Sequence, residues 1–111
     1  METKIMEVTK VSLEILKKNP PILQINSSGK VNTGGWTNGQ LSAFVYVTPP
    51  QDGIYEFDFV ADPPSGVSPS VISDIYATPF EWQDFPNELK GVKVYSSSNS
   101  ITEDLTTNDA Q

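Results

Sequence analysis

The chain has 111 residues, enough for one domain around a single modest core. Fourteen acidic residues against seven lysines give a net charge of −7, and the sequence contains no arginine, histidine or cysteine. These absences exclude a histidine base, Ser–His–Asp and Cys–His pairs, a thiolate nucleophile and zinc–sulfur sites, and no cofactor is expected. They also argue against nucleic acid and anionic membranes as partners, since both are gripped through lysine and arginine clusters. Nine prolines and seven glycines punctuate the chain without repeating, as in a turn-rich all-β protein.

Residues 4–16 read as a strand. Met6 and Val8, then Val11, Leu13 and Ile15, alternate with polar neighbours, and the change of parity between Val8 and Val11 predicts a bulge. "KKNPP" ends it. "ILQIN" (22–26) is a second strand, "SSGK" a turn, and Val31 opens a short extended piece before the glycine-rich "NTGGWTNGQL". Residues 41–47 and 53–61 are the strongest strands, joined as a hairpin by "TPPQDG". Tyr55, Phe57, Phe59 and Ala61 share one face, which must be the core face, because Glu56 and Asp58 lie on the other. "DPPSGVSP" is a loop, 70–78 a strand, and 79–91 an irregular segment with a short helical turn. Residues 92–96 form the last clear strand, "SITEDL" adds an edge, and the polar residues 106–111 are expected to be disordered.

About seven short strands separated by turn signals predict one antiparallel β-sandwich over residues 1–105, immunoglobulin-like or related, with a small barrel as the alternative. The N-terminal residues interleave charge with apolar side chains, so they read as neither signal peptide nor membrane span, and a cytoplasmic chain is expected.

Five residues are candidates for contact with a ligand or partner: Trp36 and Asn38 in the glycine-rich stretch, and Phe80, Trp82 and Phe85 in the segment after Pro79. Aromatic side chains on loops stack on sugars or anchor protein partners, but they also plug the ends of small cores. Packing is the favoured role for Trp36, while the 80–85 group is open between the two. Glu56 and Asp58, two apart on a strand, stand roughly 6.5–7 Å apart along it, near the lower limit of an inverting glycosidase pair. Any solvated acidic face gives the same spacing. Asp52, Asp58, Asp62 and Asp74 are oxygen donors of the type calcium prefers, but no EF-hand spacing joins them. "TGGWTNG" lacks the lysine and the following helix of a phosphate-binding loop.

The "GWTN" of residues 35–38, "PQDGIYEFDF" of 50–59 and "LKGVKV" of 89–94 resemble motifs of a family of small bacterial all-β proteins. The resemblance covers about half of the chain and implies no activity, so it transfers no functional residue. The expected function is a non-catalytic binding or interaction module for a protein or carbohydrate, with self-association through edge strands, notably 4–16, as a further option. The alternatives are a carboxylate-only glycoside hydrolase and an acidic inhibitor or accessory protein for a basic partner.

Overall fold

A computed structural model describes residues 2–66 and 69–105. Within these the chain is all-β, with two sheets packed together. The expected disordered tail, 106–111, lies outside the described residues. No helix among them is long and apolar enough to cross a membrane.

The elements in chain order are β1 (Thr3–Lys4), β2 (Glu7–Leu16), β3 (Ile22–Val31), β4 (Thr37–Ala43), β5 (Ile54–Asp62), β6 (Ser73–Tyr76), β7 (Phe80–Gln83), β8 (Gly91–Tyr95) and β9 (Ser100–Asp104). In the first sheet β5 is central. Residues 57–62 of it pair with β4 on one side. On the other side β1 pairs with Val60 and Ala61, while β8 pairs with Ile54–Asp58 and carries β9 at its outer edge. In the second sheet β3 is central, with β2 on one side and β7 and β6 end to end on the other.

The alternation in β5 places Tyr55, Phe57, Phe59 and Ala61 inside, as expected, and Phe57 and Phe59 are among the largest fully buried side chains. Leu23 and Ile25 of β3, Val8 of β2, and Val92 and Val94 of β8 complete the centre of the core. Each fully buried side chain of this kind contributes roughly 1.5–3 kcal/mol by leaving water.

Several expectations are corrected. β3 runs straight through "SSGK" instead of turning there. Ser27 is buried yet satisfied, because its hydroxyl donates to the Lys10 carbonyl at 2.8 Å. Gly29 is needed because a Cβ there would collide with the Glu7 carbonyl and the Ile5 side chain. The segment 79–91 holds a strand, β7, instead of a helical turn. Phe80 and Trp82 turn one way from it while Glu81 and Gln83 are exposed, the alternation of a half-buried strand. The strand expected at 41–47 begins earlier and ends at Ala43, and that expected at 70–78 shrinks to Ser73–Tyr76, leaving Val71 and Ile72 exposed. The pairing is not purely antiparallel, since β5 and β8 run parallel. Nine strands are present among the described residues, more than the seven expected.

The predicted bulge falls between Val8 and Lys10. The single strand expected at 4–16 is broken, however, at Ile5 and Met6. The Ile5 amide donates to Phe59 in one sheet at 3.1 Å, and the next amide, that of Met6, donates to Lys30 in the other at 3.2 Å. The chain thus changes sheets within one peptide unit, with Ile5 fully buried at the crossing.

The turn between β8 and β9 seals that side of the molecule. Ser97 and Ser98 donate their amides to the Ile5 and Met6 carbonyls at 2.8 and 3.0 Å. Asn99 acts as a surrogate strand: its Oδ1 accepts from the Val8 amide at 2.9 Å and its Nδ2 donates to the Val8 carbonyl at 2.8 Å. The first part of the β2 edge, expected to lie open to a partner, is therefore occupied from within.

Candidate functional site

On the opposite side the two sheets are joined only in part. The Thr78 amide donates to the Gly39 carbonyl at 2.9 Å, and a Cβ on Gly39 would sit 2.6 Å from the Tyr76 carbonyl, so glycine permits this close approach. Beyond it the sheets part. Among the described residues β4 pairs only with β5, and β7 only with β3. Between Ala43 and Trp82 the two sheets open into a cleft of about 340 Å³, within the lower range of ligand pockets.

One wall of the cleft is the segment after Ala43, through Phe44, Tyr46, Val47 and Pro49. Tyr55, Glu56 and Phe57 form its floor, and Trp82 is the other wall. The aromatic rings interlock. Tyr55 meets Tyr46 and Trp82 edge-on, each at 5.5 Å between centroids, and Phe44 stacks on Tyr95 at 5.7 Å. Phe80 packs edge-on against Phe57 at 5.1 Å, behind Trp82. Beside these rings, Val45 and Val47 stand fully in solvent.

Glu56 is tied down by tyrosines. The Tyr46 hydroxyl accepts from the Glu56 amide at 2.9 Å and donates to its carboxylate at 3.0 Å. The Tyr95 hydroxyl donates to the other carboxylate oxygen at 2.6 Å. Burial, followed by the bond to Glu56, pushes the Tyr46 hydroxyl up to about 12. The bond to Glu56 also raises that of Tyr95, with burial as the second cause. Burial, aided by the nearby Glu88, raises that of Tyr55. These hydroxyls thus stay protonated at neutral pH and act as donors.

The loop that follows the cleft wall and the loop after β7 meet at Gly53. Its carbonyl accepts from the Lys90 amide at 2.8 Å, its φ is +74°, and a Cβ would lie 2.8 Å from the Glu88 carbonyl. Only glycine fits both constraints.

The five candidate residues fall into separate places. Trp36 is half-buried against the core, and its indole N–H donates to Thr33 Oγ1 at 3.0 Å. Asn38 is exposed, holds a left-handed backbone (φ 57°) and donates to Asp62 Oδ2 at 2.8 Å. That bond holds the Asp62 carboxyl below its ordinary range. Asn38 lines a separate hollow with Glu2, Gln40, Asp62 and Thr78. Trp82 lines the aromatic cleft, whereas Phe80 and Phe85 pack half-buried against the core. The expected union of Trp36 and Asn38 with the 80–85 segment is not what the fold forms.

Glu56 and Asp58 do share a face, but only Glu56 reaches the cleft, while Asp58 lies 3.7 Å from Lys4 Nζ. The four aspartates weighed for calcium are dispersed. Asp52 accepts from the Ile54 amide at 3.0 Å, Asp58 faces Lys4, Asp62 binds Asn38 and Asp74 pairs with Lys30. Among the described residues no group of three or more carboxylates gathers.

Sequence reasoning missed Phe44, Tyr46, Tyr55 and Tyr95 as site residues. A signal was present for the first two: in the predicted hairpin they share parity at the end facing Glu56. Comparison with protein-family models, curated proteins and solved structures finds no match. The class that fold and site define is therefore an all-β protein of two packed sheets with an aromatic cleft at one open edge.

Proposed function

We propose that the protein is a non-catalytic recognition module that seats an apolar segment of a partner protein in the cleft between β4 and β7. One observation carries this reading: Val45 and Val47 are fully exposed beside a cleft floored by core aromatics at an unpaired sheet edge. Water contact at such a patch is costly, and covering it is the source of affinity. Glu56 lines the cleft and no lysine does, so basic residues flanking the apolar segment complement a chain of net charge −7. This charge preference accords with an accessory role toward a basic partner. An immunoglobulin-like relationship is part of the same proposal; the first strand divided between two sheets supports it.

A glycoside hydrolase has less support, because a two-carboxylate mechanism needs both acids at the substrate and Asp58 does not line the cleft.

The test is selection from a random peptide library displayed on phage, followed by NMR mapping of the enriched peptides. Binders are expected to carry a bulky apolar residue next to lysine or arginine, and to shift the signals of residues 43–49 and Trp82. Their affinity should fall as salt rises. The Val45→Ser/Val47→Ser double variant should weaken binding at least about tenfold, with melting unchanged within about 0.5 kcal/mol. Enriched peptides that map elsewhere, or bind the double variant equally well, overturn the proposal.

A further inference from the structure

The outer face of the second sheet differs in chemistry from the cleft. The register of β2, β3 and β6 aligns Lys10, Ser28 and Tyr76 in one row across it, and Ser12 and Asn26 in the next. These side chains point outward because their neighbours Val11, Leu13, Ile25 and Ile75 are buried. β6 stops at Tyr76 and β7 starts at Phe80, so the far side of β3 lacks a strand partner between them. The Ala77 amide, donating to Ser27 at 3.0 Å, bridges the gap. The result is a trough of about 250 Å³ lined by Lys10, Ser12, Asn26, Ser28, Tyr76 and Ala77, together with Ser27.

We infer that this trough is a saccharide-binding site, taking a neutral hexopyranose unit of a glycan with its C–H face against Tyr76 and its hydroxyls on Ser12, Asn26 and Ser28. Three observations point there. Tyr76 leaves 70 % of its surface exposed at the end of β6, beside the hydrogen-bonding groups of the trough. A sugar ring offers the matching pair of surfaces, an apolar face and a hydroxyl edge, and tyrosine supplies both an apolar body and a polar tip.

The polar groups are also held in place. Asn26 Nδ2 donates to Gln24 Oε1 at 3.2 Å, and Gln24 Nε2 donates to Glu81 Oε2 at 3.4 Å. This relay fixes the Asn26 amide so that its Oδ1 is available as an acceptor with little ordering entropy to lose. Finally, the lining holds a single charged residue, Lys10, and the neighbouring Lys30 and Asp74 offset each other in an ion pair. A lining of amide and hydroxyl groups suits a neutral ligand. This inference rests on the sheet face alone and is independent of the proposed cleft function.

Affinity electrophoresis tests it, with native gels containing barley β-glucan, xylan, galactomannan or, as the acidic comparison, polygalacturonate. Retardation is expected in at least one neutral gel. Tyr76→Ala should weaken it at least about tenfold, Asn26→Ala severalfold, and Val45→Ser/Val47→Ser not at all. Because Tyr76 is exposed, melting of Tyr76→Ala should match the wild type and separate lost binding from lost folding. Migration unchanged in every neutral gel, retardation indifferent to Tyr76→Ala, or retardation by polygalacturonate alone would overturn the inference.

Discussion

The two sides on which the sheets meet solve the same problem differently. On the β2 side, backbone groups at the change of sheet are answered by Ser97, Ser98 and Asn99. On the β4 side, one bond from Thr78 to Gly39 closes the upper half, and the lower half stays open over aromatic rings. A sheet edge left exposed is a hazard that natural proteins ordinarily blunt with charge, proline or a covering loop. Here the following segment supplies Pro49 and Pro50 but also Val45 and Val47 in full solvent. The closed side shows that this fold can cover an edge with four residues of turn. The open side is therefore a departure, and it accords with the partner binding proposed above.

The sharpest way to break the comparison is at Gly53, the knot holding the two loops of the open side. Gly53→Ala places a side chain at positive φ and against the Glu88 carbonyl, and should cost about 3 kcal/mol. Denaturant unfolding measures this, and a loss below about 1 kcal/mol would mean that the loops are not held through this residue. Next is the closed side. Asn99→Ala strands the buried Val8 amide and should cost about 2 kcal/mol. It should also raise hydrogen exchange at Val8 and Met6 while leaving peptide binding at the cleft intact.

A smaller effect is expected from Tyr46→Phe, which removes the hydroxyl shared between the Glu56 amide and carboxylate and should cost about 1 kcal/mol at neutral pH. Its pH dependence is more telling. The Tyr46 hydroxyl titrates near 10 in the unfolded chain and is pushed up to about 12 in the fold. The folded protein thus holds this proton more tightly. The resulting stability is complete below pH 10 and is lost as pH rises towards about 12. Wild-type stability should fall across that window, and Tyr46→Phe should fall less steeply. Tyr55 and Tyr95, raised in the same direction, keep part of the slope.

What the sequence revealed follows the range of the interactions. The β4–β5 hairpin and its core face were legible because the alternation from Tyr55 to Ala61 is local and strongly polarised. β7 was hidden: two prolines and a short Phe-x-Trp alternation read as loop, and its strand character comes from pairing with β3, more than fifty residues earlier. The continuity of β3 through "SSGK" depends on a bond between Ser27 and Lys10 that no local pattern announces. The parallel pairing of β5 and β8 is likewise a tertiary choice. Of the site, Trp82 was legible as an isolated aromatic. The ring that accompanies it was not, because Tyr95 reaches Glu56 from 39 positions away.

The change of sheet at Ile5 and Met6 also has a consequence for synthesis. The groups that satisfy Ile5, Met6 and Val8 belong to residues 97–99, which are made some ninety positions later. The first strand must therefore wait, unpaired on its outer edge, while the residues between are made. Closing a loop of this span is slow compared with forming a hairpin. The turn between β8 and β9 is thus the clasp that closes this side, and a ribosome stalled before Ser96 would present a nascent chain with both of its edges open.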